Sequence, residues 1–119
     1  MAKNNYKCQG LIKDIRREED IVFLTLGGEI DMSCSTDLRG ELLVIMQEEP
    51  SLTIINMQDV HFMDSSGLAV LVETLQWSRQ NQKQLKLVGL HARVRSIFEI
   101  SRLDSMFEIF DSEAEAMTQ

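Results

Sequence analysis

The run from Leu52 to Met57, LTIINM, is almost continuously apolar and rich in β-branched residues. Such a run is typical of a strand that is covered on both faces, since a strand with one wet face alternates apolar and polar residues. Two earlier segments, Cys8 to Ile15 and Ile21 to Leu26, are also apolar and partly β-branched, and the charged stretch from Arg16 to Asp20 separates them. This spacing predicts an antiparallel hairpin ahead of the buried strand.

Helical patterns follow the strands along the chain. Gly27-Gly28 predicts the end of the second strand, and Ser33 to Thr36 offer several N-cap residues for a first helix that ends before Pro50. A second helix is predicted from about Ser66 to Gln80. The remaining predicted elements are a strand at Leu85–Val88, a helix at Ala92–Ile100, an edge strand at Met106–Phe110, and a short helix that Asp111 or Ser112 caps and that runs through Met117.

Strands that alternate with helices after a hairpin predict an α/β fold, built on a mixed β-sheet of four to five strands with three to four α-helices. The chain has 119 residues, of which 44% are hydrophobic, so it is long and apolar enough to bury one core. We therefore expect residues 1–119 to form a single domain.

The charge and the apolar runs exclude several classes of function. Nineteen acidic and twelve basic residues give a net charge of −7, which disfavours direct binding of nucleic acid or of anionic membranes. The longest apolar runs, such as Leu42 to Met46, are far too short to span a bilayer. The first residues lack the apolar stretch of a signal peptide, so we expect a cytoplasmic protein.

The cysteines and histidines indicate neither a disulfide framework nor a metal site. Two cysteines, Cys8 and Cys34, in a chain without a secretion signal are expected to be reduced. His61 and His91 are far apart in the sequence, and neither has a companion at metal-ligand spacing. We expect no metal and no cofactor.

The segment Asp64-Ser65-Ser66-Gly67 follows the buried strand and begins a helix, so it lies at the carboxyl edge of the sheet. The first backbone N–H groups of a helix are unpaired, which favours an anion near Ser65 and Ser66. Gly67 lies in the first turn, where a better helix former would gain roughly 1 kcal/mol, so either a ligand or a neighbouring strand approaches the backbone there. Alternatively, Asp64 or Ser65 is an ordinary N-cap that contributes about 0.5–2 kcal/mol.

Three segments resemble a known family. FMDSSGL, from Phe62 to Leu68, resembles the signature of STAS domains, specifically that of the bacterial anti-sigma factor antagonists. GEID, from Gly28 to Asp31, is similar to a second motif of the family, and Leu87 to Phe110 follows its final strand, helix and strand. The sequence departs from the family at Arg102, where many members have glycine, and at His91-Ala92, which replaces a common Ser-Pro pair.

The resemblance implies a partner-switching function in signal transduction and transcription regulation. By this resemblance, Ser65 is the residue that a cognate serine kinase phosphorylates, and Asp64, Ser66, Gly67 and Asp31 support the motif. The unphosphorylated form would bind an anti-sigma factor that is also the kinase, phosphorylation would release it, and a phosphatase would restore binding. The kinase would supply ATP and catalysis, so we expect that the chain is not an enzyme.

The second helix predicts a contact surface. Its core stripe has helical spacing and comprises Leu68, Leu71, Val72 and Leu75. Val70 and Trp77 project roughly opposite that stripe, with Glu73 beside them, and tryptophan is favoured at interface hot spots. These three residues are predicted to extend a partner-binding face that begins at Ser65. The alternative is that a loop covers Trp77.

Two other functions remain open on the sequence alone. The first is a STAS-type regulatory module that acts on an effector other than a sigma factor, or on a transporter. The second is a nucleotide-binding protein with weak phosphohydrolase activity, but the chain has no P-loop lysine and no GxGxxG motif.

Overall fold

The computed structural model describes residues 8–118, which form five strands and four helices. In chain order these are β1 (Ile12–Glu18), β2 (Ile21–Ile30), α1 (Met32–Gln47), β3 (Leu52–Met63), α2 (Ser65–Gln80), β4 (Gln84–Val88), α3 (Ala92–Ile100), β5 (Glu108–Phe110) and α4 (Glu113–Thr118).

The five strands form one mixed sheet in the order β1-β2-β3-β4-β5. β1 and β2 pair antiparallel, while β2, β3, β4 and β5 pair parallel to one another. The parallel pairing follows from the connections, because each crossover after β2 contains a helix or a long segment. The predicted α/β fold on a mixed sheet is confirmed, as are the initial hairpin and the edge strand.

Helices cover both faces of the sheet. α1, α2 and α3 pack on one face and bury the larger core, which includes Leu38, Leu71 and Phe98. On the other face, α4 contributes Ala116 to a smaller core whose other buried members are Phe23, Leu52, Ile54 and Val88. Both faces of β3 are therefore buried, as its unbroken apolar run predicts.

β2 and β3 extend further than their apolar runs. β2 continues through Gly27 and Gly28 to Ile30, so the predicted break was wrong. Two irregularities in the pairing with β3 accommodate the glycines, and Gly28 has a φ of +82°, which only glycine adopts at little energetic expense. Both strands consequently reach the carboxyl edge of the sheet, where α1 and α2 begin.

The two cysteines form a disulfide between Cys8 and Cys34. The expectation that both are reduced was wrong, because the fold places the segment before β1 against the first turn of α1, with the two Cα atoms 5.0 Å apart. The backbone N–H of Cys8 also donates to Asp37 on α1 at 3.1 Å. The start of α1 is therefore tied to the segment before β1.

Candidate functional site

The candidate site lies where β2 and β3 end beside each other. Ile30 pairs with Met63 in the parallel register, and each strand is followed at once by an aspartate, Asp31 or Asp64. The backbone N–H of Asp64 donates to the carbonyl of Ile30 at 3.1 Å. The first turns of α1 and α2 are therefore neighbours at the carboxyl edge of the sheet.

The two aspartates cap these helices in the same way. Asp64 Oδ1 accepts hydrogen bonds from the backbone N–H of Ser66 at 2.9 Å and from its hydroxyl at 2.6 Å. Asp31 Oδ1 accepts the equivalent bonds from Ser33 at 2.9 Å and 2.6 Å. The pKa of Asp31 lies below its usual value because its carboxylate accepts these hydrogen bonds. The bond from the Ser33 hydroxyl has the larger effect, and the bond from the Ser33 backbone N–H has the smaller one. The cap of α1 is thus Asp31, and not a residue from Ser33 to Thr36 as predicted.

Ser65 differs from its neighbours because its hydroxyl is uncommitted. It is the first residue of α2, its side chain is exposed, and within residues 8–118 it makes no hydrogen bond or ion pair. Asp64 is the N-cap, and Ser66 is held by that cap. Of the two serines, Ser65 alone presents a free hydroxyl to another molecule.

Gly67 is required by packing. A Cβ atom at this position would lie 2.7 Å from Ile30 Cγ2, 3.1 Å from Met63 Cγ and 3.3 Å from the Ile30 carbonyl oxygen. Both neighbours are buried, so neither side chain has free space to move into. Of the two explanations that the sequence left open, the close approach of a neighbouring strand is the one that the structure supports.

Val70 does not lie on the surface, so the predicted exposed pair of Val70 and Trp77 was wrong. Val70 is 1% exposed because α1 packs against that side of α2. Trp77 is half-buried and packs against the core. Glu73 is exposed and forms an ion pair with Arg39 on α1, with N–O distances of 2.9 Å and 2.8 Å. The hydrogen bonds from Arg39 hold the pKa of Glu73 below its usual value.

These three residues nevertheless meet in one groove between α1 and α2, with a volume of about 170 Å³. Its wall is mostly apolar, and the Arg39–Glu73 ion pair lies at its rim. Leu43 on α1, which is 57% exposed, forms its open edge. Val70 is the buried floor of this groove, whereas Trp77 forms part of its wall.

Met32 is a candidate site residue that the sequence reasoning missed. It is the first residue of α1, in the same position relative to its cap as Ser65, and it is 78% exposed. The signal was present in the sequence, since Asp31-Met32-Ser33 repeats the Asp-x-Ser pattern of Asp64-Ser65-Ser66. A large apolar side chain therefore stands exposed on the helix start next to that of Ser65.

His61 and His91 are brought together at the same edge. Their rings stack with centroids 6.1 Å apart, and His91 Nε2 contacts the carbonyl oxygen of Gln58. Within residues 8–118, no group of three or more histidine, cysteine, aspartate or glutamate side chains is placed to hold a metal ion.

An α/β domain of this topology, with an Asp-Ser-Ser-Gly helix start at the carboxyl edge of its sheet, is a STAS-type domain. Residues 13–116 match the STAS domain family. The anti-sigma-B factor antagonist of Listeria monocytogenes is 34% identical over 99 residues, which are 83% of this chain and 87% of that protein. The chain belongs to the STAS domain family.

Solved structures of antagonists share the fold. SpoIIAA, an anti-sigma factor antagonist solved in its unphosphorylated form, is 25% identical with a TM-score of 0.72, over 89% of this chain and 90% of that one. Its phosphorylated form superposes with a TM-score of 0.69 at 20% identity, over 88% and 96%. A putative anti-sigma factor antagonist from Thermotoga maritima has a TM-score of 0.84 at 21% identity, over 88% of this chain and 91% of that one.

In residues 8–118 of this chain, no helix is long and apolar enough to cross a membrane.

Proposed function

We propose that the protein is an anti-sigma factor antagonist, in which the unphosphorylated form binds an anti-sigma factor with serine kinase activity and phosphorylation of Ser65 releases it. The observation that carries this proposal is the exposed, uncommitted hydroxyl of Ser65 at the first turn of α2. It stands in a chain that is 34% identical to a named anti-sigma-B factor antagonist.

A phosphate on Ser65 is compatible with the fold. It adds about −1.5 to −2 charges at pH 7. The positive dipole ends of α1 and α2 both lie at this edge and favour an anion. Because the Ser65 side chain is exposed, the phosphate remains hydrated and displaces no packed side chain. We therefore expect the phosphorylated protein to stay folded.

The same phosphate is incompatible with a docked partner. Asp31 and Asp64 already place two carboxylates beside Ser65, so the modified edge carries about three and a half to four negative charges. A partner surface that packs against the unmodified hydroxyl would have to bury a dianion or face like charges, and either costs several kcal/mol. Since each 1.4 kcal/mol is tenfold in affinity, a penalty of about 3–4 kcal/mol weakens binding by about 100- to 1,000-fold.

The partner-binding face in this proposal combines both helix starts and the groove between α1 and α2. Met32 and Ser65 lie at the end of this face that the two helix starts form, and Glu73 and Trp77 extend the face along the groove. Val70 supports this face from below, because it is buried. An apolar side chain of the partner fits a groove of about 170 Å³ whose wall is mostly apolar.

In this proposal the protein is a regulatory substrate and not an enzyme, and it acts in the cytoplasm. Nothing among residues 8–118 hydrogen-bonds to the Ser65 hydroxyl, so no base in this part of the chain is placed to activate it as a nucleophile. The kinase therefore supplies ATP and the catalytic groups, and a serine phosphatase removes the phosphate.

The test uses a candidate anti-sigma factor with serine kinase activity from the same organism, with magnesium and ATP. Mass spectrometry should place one phosphate on Ser65, and that form should bind the kinase at least 100-fold more weakly than the unmodified protein. Ser65→Ala should keep binding and take up no phosphate. Ser66→Ala is the matched control: its hydroxyl is committed to Asp64, so phosphorylation of Ser65 should continue. Phosphate on another residue, or equal affinities of the two forms, would overturn the proposal.

A further inference from the structure

The positive charge of this acidic chain is concentrated in residues 79–102. This segment contains six basic residues and one acidic residue, a formal charge of +5. The rest of the chain contains six basic and eighteen acidic residues, a formal charge of −12. The molecule therefore carries a local basic region on a strongly acidic background.

Within residues 8–118, the cations of α3 and of the turn that follows it are unpaired, unlike four cations earlier in the chain. Lys13, Arg16, Arg17 and Arg39, which lie before this segment, each form an ion pair with a carboxylate. In the described part of the chain, residues 8–118, the side chains of Arg93, Arg95 and Arg102 form neither an ion pair nor a hydrogen bond. Their charges are therefore available to another molecule.

An exposed apolar side chain lies among these cations. Ile100, the last residue of α3, is 81% exposed. Val94 and Phe98 hold the opposite side of the helix in the core with no exposed area. Arg93 is seven residues before Ile100, so the two lie on the same outward side of the helix. We call Arg93, Ser96, Ile100 and Arg102 the α3 surface.

Arg102 occupies a backbone conformation that disfavours its side chain. Its φ is +60°, in the left-handed region that glycine adopts most easily. The left-handed backbone of Arg102 belongs to the turn that ends α3, in which the Leu103 N–H donates to the Phe98 carbonyl at 2.8 Å. The guanidinium of Arg102 is exposed and makes no contact with a partner within the described residues.

We propose that the α3 surface is a docking site for a short acidic segment of a partner protein, with carboxylates facing Arg93 and Arg102 and an apolar side chain against Ile100. The size of the surface favours a peptide over a longer polyanion. Seven residues of helical rise separate Arg93 from Ile100, about 10 Å along α3. The basic surface is therefore about as long as the Debye length of about 8–10 Å. A polyanion that extended beyond it would be repelled by the acidic remainder of the chain, whereas a short acidic peptide would not. This surface does not involve Ser65 and does not depend on its phosphorylation.

The experiment follows the backbone amide NMR signals of the full chain during titration with a glutamate-rich peptide that has one central leucine. The shifts should saturate and centre on residues 92–102, and the affinity should fall about tenfold when salt is raised from about 0.05 to about 0.2 M. A peptide in which glutamine replaces each glutamate is the matched control and should not bind.

Variants separate this docking from a general loss of structure. Arg93→Ser and Ile100→Ser should each weaken peptide binding about fivefold to tenfold. Arg102→Gly should weaken binding while it raises the melting temperature, because glycine relieves the left-handed backbone. Arg17→Ser, a cation on β1 that pairs with Glu48, should leave binding unchanged.

Three results would overturn this assignment: equal binding of the glutamine peptide, shifts centred away from residues 92–102, or full affinity of Arg102→Gly. A DNA duplex or phosphatidylglycerol vesicles that shift the same amides at lower concentration than the peptide would also overturn it and would assign the surface to another polyanion. The Ser65 phosphorylation assay, run on the same variants, distinguishes failure here from failure of the proposed function.

Discussion

Substitution of Gly67 by alanine tests whether the two helix starts are held in place by close packing. The new methyl group would lie 2.7 Å from Ile30 Cγ2, a distance at which one of the groups must move. Ile30 is fully buried, and overpacking of such a site costs about 1–3 kcal/mol. Alanine gains about 1 kcal/mol over glycine in a helix. We expect that the overlap is the larger effect and that Gly67→Ala lowers the free energy of unfolding by up to about 2 kcal/mol.

Gly40 provides the matched control for this prediction. It lies in α1, is exposed, and a Cβ atom added there would meet no atom within 4 Å. Gly40→Ala should therefore raise the free energy of unfolding by about 1 kcal/mol, which is roughly 4 °C in melting temperature for a chain of this size. Urea unfolding followed by circular dichroism gives both values from the midpoints at equal slope. If Gly67→Ala proves as stable as Gly40→Ala, helix propensity alone governs both positions and the packing argument fails.

Four further predictions address other parts of the molecule. The Cys8–Cys34 disulfide, which closes a sequence separation of 26 residues, should stabilise the fold by about 2–4 kcal/mol, so dithiothreitol should lower the melting temperature of the wild type but not that of Cys8→Ser. An equal response of both proteins would contradict the disulfide. Arg39 lowers the pKa of Glu73 in the folded protein. Their ion pair therefore stabilises the fold at a pH above the pKa that Glu73 has in the unfolded chain. This stabilisation is lost as the pH falls through the folded-state pKa of Glu73. The wild type should therefore be more stable than Glu73→Gln at pH 7 but not in strong acid, and a difference that grows on acidification would refute this reasoning. Met32→Ser should keep the melting temperature and weaken kinase binding about tenfold, whereas Met117→Ser, a control on α4, should change neither. Trp77→Ala should lower both the free energy of unfolding, by about 2–3 kcal/mol, and the affinity for the kinase, and a loss of stability alone would make Trp77 purely a core residue.

The order of elements could be predicted from the sequence because each one has a local signature. The apolar run at Leu52–Met57 reads as a strand buried on both faces, and the spacing from Leu68 to Leu75 gives the inward stripe of α2. These signals depend on which face of an element is apolar. They do not depend on which neighbour covers it, so they give the elements more reliably than the contacts between them.

The errors arose where one element meets another. Helical periodicity gives the direction of the core stripe of α2, but it does not show that α1 covers Val70 from the side. The cap of α1 was misplaced because Gly27 and Gly28 resemble a strand end, whereas the pairing with β3 carries β2 on to Ile30 and leaves Asp31 as the cap. The pairing of Cys8 with Cys34 likewise requires their separation in space, which neither residue type nor spacing supplies.

The pairing of β2 with β3 also limits which changes of chain length this site tolerates. From Ile21↔Leu52 to Ile30↔Met63, β3 uses two residues more than β2, and the two register irregularities absorb this surplus. Deleting a single residue between Asn56 and Met63 would turn Met63 to the opposite face and shift Asp64 by about 3.3 Å relative to Asp31. The fold should therefore tolerate insertions and deletions at the Glu19-Asp20 turn but not in this part of β3, where a change of chain length would alter the distance between the two helix starts.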